Sequence, residues 1–159
     1  MKIFSLTGCV ILFLVVFGFK NHLEIQSFAG DWKINMQNEG YQSAPKELKI
    51  QLTGDSIFIE RVTTDDQTFV EKMSFDGKPN TCTTTSGRKK TGTAKWDEEG
   101  KSFTENATLG DTGNPAAVAF TVTEHWQLSE DQTQLTIVTM LSNASGGSGE
   151  RTDVYDRGN

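Results

Sequence analysis

The chain has 159 residues, and its 21 aspartate and glutamate residues outnumber its 15 lysine and arginine residues, giving a formal net charge of -6. A surface that binds nucleic acid needs net positive charge, so this balance argues against nucleic acid as a partner. The length favours a single domain, and the low apolar content of 35% is typical of a thin-cored β domain whose strands expose one polar face.

The N-terminal segment predicts export. Lys2 precedes an uncharged, largely apolar run from Ile3 to Phe19, which matches the charged and apolar regions of a secretory signal peptide. Cleavage is predicted after Gly18, which would leave no stable membrane span and place the protein in the periplasm or outside the cell. The alternative is an uncleaved anchor, because the apolar run is at the short limit for a helix that spans a membrane.

Removal of residues 1–18 leaves Cys82 as the only cysteine, so the exported protein must fold without an internal disulfide. Cys82 lies between two threonines and is predicted to be a buried or half-buried strand residue. As a catalytic thiol it would need a nearby imidazole, and His125 is the only histidine well inside the domain. We expect residues 19–27 to form a short linker and residues 28–157 to form the folded domain.

Repeated short segments of β-type composition begin at Phe28 and alternate with turn residues at about 10-residue spacing. Short links imply antiparallel neighbours, so the segments predict an up-and-down meander of about eight to ten strands. Such a sheet tends to curl, and closing it into a barrel removes exposed edges. The predicted strands are Gly30 to Met36, Glu47 to Thr53, Ser56 to Thr64, Thr68 to Phe75, Thr81 to Thr84, Lys89 to Trp96, Ser102 to Thr108, Ala117 to Leu128, Gln134 to Ser142 and Glu150 to Arg157.

Alternation with a period of two assigns one face of each strand to the barrel interior. The pattern is clearest on the first, second and eighth strands. The apolar residues predicted to face inward there are Trp32, Ile34, Met36, Leu48, Ile50, Leu52, Val118, Phe120, Val122, Trp126 and Leu128.

The same phase turns Arg61, Glu71, Glu105 and Glu124 inward. Burying an unpaired charge is costly, so Arg61 must meet a carboxylate, trapped water or an anionic ligand group. Three carboxylates against one arginine favour an internal salt-bridge network with water, or a cationic or hydroxylated ligand, over a fatty acid held by its carboxylate. The alternative is that strand ends and bulges shift the phase and leave these side chains at the wet rim.

Other motifs offer little chemistry. The chain has no Gly-x-Ser-x-Gly elbow, and the glycine-rich run from Ser145 to Gly149 lacks the lysine that a phosphate-binding loop needs. No cluster of ligands with regular spacing predicts a metal, and no cofactor is predicted. His125 is out of phase with Trp126 and is expected to point to solvent. The basic run Arg88-Lys89-Lys90 is interpreted as one polar shoulder of a hairpin.

The first predicted strand contains Gly30-x-Trp32, which resembles the first-strand motif of the lipocalins and the wider calycin group of ligand-binding barrels. Tyr155-Asp156-Arg157 adds to the resemblance, since lipocalin-like barrels often stack a late arginine over the first-strand tryptophan. Over residues 28–157 the layout is similar to small exported bacterial lipocalin-like domains. The loop at residues 37–45 departs from fatty-acid-binding proteins, because it is too short for their helix-turn-helix lid.

This resemblance implies an all-β, antiparallel lipocalin-like barrel that binds or carries a small hydrophobic or amphipathic ligand in its interior, without catalysis and as a monomer. The alternative is a filled barrel that acts as a periplasmic or surface protein-interaction module, with Trp96 and the loops as its contact surface. The residues assigned to these roles are Arg61, Glu71, Glu105, Glu124 and Trp126 for the ligand, and Gly30, Trp32 and Arg157 for closure of the barrel.

Overall fold

A computed structural model describes residues 27–37, 44–97, 101–114 and 116–158. These residues contain ten β-strands and no helix, and therefore no helix able to span a membrane. The predicted signal segment at residues 1–18 lies outside this part of the chain. The strands are β1 (Gly30–Ile34), β2 (Glu47–Thr53), β3 (Ser56–Val62), β4 (Thr68–Ser74), β5 (Asn80–Thr83), β6 (Lys89–Trp96), β7 (Ser102–Gly110), β8 (Val118–Leu128), β9 (Gln134–Asn143) and β10 (Ser148–Arg157).

All ten strands belong to one antiparallel sheet with the order β4-β3-β2-β1-β10-β9-β8-β7-β6-β5. Because β1 pairs with both β2 and β10, the first and last strands are neighbours within the sheet, and the strands at its two edges are β4 and β5. The barrel is nearly closed. β4 and β5 lie next to each other, but no backbone ladder among the described residues connects them, and we call this line the seam. The predicted all-β, up-and-down barrel is confirmed.

Aromatic side chains dominate the apolar core. Phe103 lies at its centre, with ring centroids 5.3 Å from Phe28 and 5.2 Å from Trp126, on which it stacks. Such offset and tilted contacts add to the stabilisation that burial itself provides. The buried apolar residues of this cluster are Phe28, Trp32, Leu48, Ile50, Ile57, Ile59, Met73, Ala94, Phe103, Trp126, Leu135, Ile137 and Tyr155.

Met36 does not face the interior, so its predicted placement is wrong. β1 ends at Ile34, and the chain then turns, with the Asn35 side chain accepting a hydrogen bond from the backbone N–H of Gln37 at 3.0 Å. The period-two phase therefore stops before Met36, which is 65% exposed. The other predicted strand boundaries differ from the observed ones by at most two residues, which is the usual uncertainty of strand ends.

Val118 is also exposed, by 52%, although the alternation of β8 predicted an inward position. The reason is an irregularity in the pairing of β7 with β8. Leu109 pairs with Phe120, whereas Gly110 pairs with Val118, so β8 has one more residue than β7 at this point. A bulge of this kind changes the face on which the residues beyond it lie.

Arg157 covers one end of the barrel. Its guanidinium carbon lies 4.2 Å from the centroid of the Trp32 ring, and its nitrogens donate to the carbonyl oxygens of Ala29 (2.9 Å), Gln132 (2.8 Å) and Ser27 (2.5 Å). Gly30 has a φ of 133°, and a Cβ there would lie 3.2 Å from Arg157 Nη1. A glycine suits this position for two reasons: other residues rarely adopt this positive φ, and a Cβ would crowd the Arg157 side chain.

Substitution of Arg157 by alanine is expected to lower the free energy of unfolding by about 1–2 kcal/mol, because it removes the contact with Trp32 and three hydrogen bonds to backbone carbonyls. Urea denaturation measures this change, and Lys33→Ala on the exposed face of β1 serves as the control. In a double-mutant cycle with Trp32→Phe, absence of coupling would show that the cation-π contact contributes nothing.

Candidate functional site

Five charged side chains meet inside the barrel, one from each of five strands. They are Arg61 on β3, Glu71 on β4, Lys90 on β6, Glu105 on β7 and Glu124 on β8, and each is at most 7% exposed. Each lies in phase with the apolar residues of its own strand, so strand periodicity alone turns it inward. We call these five residues the ionic layer; its formal charge is -1.

Arg61 is the central cation of the ionic layer. Its Nε donates to Glu71 Oε1 at 2.5 Å, while Nη2 and Nη1 donate to the two carboxylate oxygens of Glu124 at 2.6 and 3.3 Å. A guanidinium fork of this kind holds two carboxylates with fixed geometry. Trp126 adds a hydrogen bond from Nε1 to Glu124 Oε2 at 3.2 Å, and its ring centroid lies 5.0 Å from the guanidinium carbon of Arg61.

Lys90 is the member of the ionic layer that the sequence reasoning missed. Its Nζ donates to Glu71 Oε2 at 2.6 Å and to Glu105 Oε2 at 2.7 Å. The interpretation of Arg88-Lys89-Lys90 as a polar hairpin shoulder is therefore wrong for Lys90. The alternation of β6 could have revealed it, because every second residue back from Trp96 lies on the inner face and this series includes Lys90.

Gly92 makes room for the ionic layer. A Cβ at this position would lie 2.8 Å from Glu105 Oε1 and 2.8 Å from the Cβ of Ala107 on the neighbouring strand. The absence of a side chain thus lets the Glu105 carboxylate lie against the backbone of β6, within reach of Lys90.

The four charges turn inward as the strand phase predicted, and the alternative of a wet rim is wrong, because all four are buried within one network. Ligand binding by these residues stays a prediction. Glu71, Glu105 and Glu124 each offer an oxygen within 4.8 Å of the others, a spacing that suits a metal ion. Arg61 and Lys90 already form ion pairs with all three, however, so the arrangement holds the chain's own cations.

The environment separates the pKa values of two glutamates in this layer. Burial raises the pKa of Glu105 to about 7, and the Lys90 ammonium only partly opposes this rise. Burial alone would also raise the pKa of Glu124, but the charges of Arg61 and Lys90, with hydrogen bonds from Arg61 and Trp126, outweigh it and lower this pKa to about 2. The two carboxyl groups therefore differ in charge state near neutral pH.

Strand β10 contributes further polar residues that the sequence reasoning did not single out. Asp153 and Tyr155 are 1% and 0% exposed and lie two positions apart, on the inner face. Asp153 Oδ2 accepts a hydrogen bond from Arg151 Nε at 2.8 Å. Within the described chain, Asp153 Oδ1 and the Tyr155 hydroxyl have no hydrogen-bond partner. Burial raises the pKa values of both Asp153 and Tyr155.

Two residues with other predicted roles lie away from the ionic layer. Trp96 packs against Phe75 at 4.4 Å and Phe103 at 5.1 Å between centroids, so this ring belongs to the edge of the core and offers little contact surface to a partner. His125 is on the outer face, as its phase predicts, with Nδ1 3.1 Å from Thr104 Oγ1.

A surface pocket of about 410 Å³ lies on the barrel wall formed by β8, β9 and β10. Most of its lining residues have the outward phase, and some pair among themselves, as do Thr121 Oγ1 and Ser142 Oγ at 2.5 Å. The pocket is therefore separate from the ionic layer. Its lining consists of Thr121, Thr123, Met140, Leu141, Ser142, Ser148, Gly149 and Glu150.

Comparison with known proteins identifies the architecture. No family model and no curated protein matches the sequence. Nine chains of solved structures match, among them zebrafish ileal bile acid-binding protein, whose crystal structure was determined in complex with cholic acid. The similarity has a TM-score of 0.55 at 15% identity and covers 83% of this chain and 99% of that one. The chain therefore has the fold of a lipocalin-like, calycin-type barrel. This identity supports the calycin fold alone and says nothing about the ligand.

Proposed function

We propose that the protein is an exported, non-catalytic carrier that binds a small, partly apolar molecule inside the calycin barrel as a monomer. The export part of the proposal rests on Lys2 and the apolar run from Ile3 to Phe19. The absence of catalysis is proposed because the inward carboxylates are engaged by Arg61 and Lys90 rather than by a nucleophile or a general base pair.

The observation that carries the proposal is an inner wall that solvent reaches. Leu141 on β9 pairs directly with the buried Val122 on β8, so both side chains share the inner face. Leu141 is nevertheless 38% exposed, and it also contributes to the lining of the surface pocket described above. The side chain of Arg151, also on the inner face, is 31% exposed. A barrel filled by its own side chains would cover these positions, whereas a carrier needs an apolar wall with a few polar groups.

The similar fold of a bile acid-binding protein supports a carrier, because that barrel was crystallised with cholic acid. In the present chain the apolar core and the ionic layer adjoin inside one barrel, since Trp126 belongs to the core and also donates to Glu124. An interior with an apolar part and a charged part suits an amphipathic molecule.

Saturable binding of an environment-sensitive apolar dye, with a change in the fluorescence of the buried Trp126, is expected for the purified barrel. Leu141→Arg places a charge on the inner wall and should weaken dye binding about tenfold or more, corresponding to about 1.4 kcal/mol. Met140→Arg is the matched control, because Met140 is the next residue, is 46% exposed and points outward.

Two results would contradict the carrier. One is the absence of saturable dye binding by the folded protein. The other is an equal effect of Leu141→Arg and Met140→Arg, which would place the dye on the outer surface rather than inside the barrel.

A further inference from the structure

Two buried polar atoms on β10 have no protein partner in the part of the chain that the structure describes. They are Asp153 Oδ1 and the hydroxyl oxygen of Tyr155, on residues that are 1% and 0% exposed. Buried polar atoms in proteins are nearly always hydrogen-bonded, so each such atom calls for an explanation. Two of them on one strand point to a missing hydrogen-bonding group.

The two atoms belong to the same region of the interior. Asp153 and Tyr155 are two residues apart on one strand, so their Cα atoms are about 7 Å apart and their side chains share a face. Both groups interact electrostatically with Arg61 and Glu124 of the ionic layer. Thr139 on the neighbouring strand β9 pairs with Arg151 on β10. Its Oγ1 is also buried without a partner among the described residues.

Charge determines which group fits this region. Asp153 Oδ2 is held by Arg151, while Oδ1 retains the capacity to accept a further hydrogen bond. A carboxylate or sulfonate ligand would place a second acidic group against the buried carboxyl group of Asp153, which is unfavourable. Among the described inner-face residues of this region, the cations Arg61, Lys90 and Arg151 face the acidic groups Glu71, Glu105, Glu124 and Asp153, so the region has no surplus of positive charge to attract an anion.

We propose that the ligand is an amphipathic primary amine whose ammonium group donates to Asp153 Oδ1 and to the Tyr155 hydroxyl oxygen. This inference rests on the proposed carrier function and specifies the chemistry of its ligand. The ammonium group supplies the missing donor for both atoms and carries the charge opposite to that of the Asp153 carboxylate. The apolar part of the amine extends towards the exposed inner-wall residue Leu141.

Competition between three ligands of equal chain length tests the proposal. Decylamine, decanoate and decanol, each below the concentration at which it forms micelles, are titrated against the dye-loaded protein. Decylamine is expected to displace the dye with an affinity about tenfold or more above those of the acid and the alcohol. Equal or tighter binding of decanoate or decanol would overturn the proposal that the ligand is an amine. Failure of decylamine to displace the dye would overturn it as well. In either case, binding of the dye itself would still support the carrier function.

Two substitutions locate the ammonium site. Tyr155→Phe removes only a hydroxyl that has no partner among the described residues, so the melting temperature should be unchanged while decylamine affinity falls about fivefold. Asp153→Asn should lower that affinity about tenfold or more and reduce the preference for amine over acid. Asp156→Asn is the control, because Asp156 is exposed on the opposite face of β10. Unchanged decylamine affinity in both Tyr155→Phe and Asp153→Asn would overturn the proposed site.

Discussion

Replacement of Arg61 by methionine is expected to lower the free energy of unfolding by about 3–5 kcal/mol. The substitution keeps much of the side-chain volume but removes the cation between Glu71 and Glu124, whose side chains are 2% and 8% exposed. Lys90 would still contact Glu71, whereas Glu124 would retain only the hydrogen bond from Trp126. A buried carboxylate without its cation is one of the most costly defects that a single substitution creates.

Chemical denaturation measures this loss, and Lys49→Met provides the comparison. Lys49 contacts Glu60 at 3.1 Å, but both side chains are more than a third exposed, so this substitution should cost less than about 1 kcal/mol. If Arg61→Met also lowered the free energy of unfolding by less than about 1 kcal/mol, water would have to reach the ionic layer freely.

The stability of the protein is expected to fall by about 3 kcal/mol as the pH rises from about 4.5 to about 7, because Glu105 titrates over this range. The folded state raises the pKa of Glu105 from its ordinary value of 4.5, and so it binds this proton more tightly than the unfolded chain does. The resulting stabilisation is complete below pH 4.5 and is lost as the pH rises through about 7. Glu124 acts oppositely, since its lowered pKa stabilises the fold above pH 4.5 and this contribution is lost towards pH 2.

Unfolding measured across this pH range should therefore show a maximum near pH 4.5 to 5. In Glu105→Gln the decline towards neutral pH should disappear, because the titrating group is gone. Glu130→Gln, at an exposed hairpin, should leave the profile unchanged. Parallel profiles for Glu105→Gln and the unsubstituted protein would assign the decline to another group.

Periodicity predicted much of the fold and part of the ionic layer. Alternation along single strands was sufficient to turn Arg61, Glu71, Glu105 and Glu124 inward, because a strand places every second residue on one face. It failed where the backbone departs from a regular strand, as at the bulge that exposes Val118. Such departures depend on pairing with another strand, which the local sequence does not specify.

Lys90 was missed for a different reason. Two other basic residues precede it, and Gly92 interrupts the apolar alternation that would have marked its face. Which cation meets which carboxylate also depends on contacts across the barrel, such as the one that joins Arg61 to Glu124 over 63 positions of sequence. The buried oxygens of Asp153 and Tyr155, which have no partner in the described part of the chain, depend in turn on side-chain geometry that no periodicity describes.

The seam between β4 and β5 gives the barrel wall one line along which it is held by side chains rather than by a backbone ladder. The salt bridge from Lys90 on β6 to Glu71 on β4 crosses this line, passing over the four-residue β5. Separating the two edges there breaks ion pairs but no backbone hydrogen bond between strands described in the structure. Local opening of the wall is therefore least costly at β5, and the same side chains that neutralise the interior also set how readily the barrel opens.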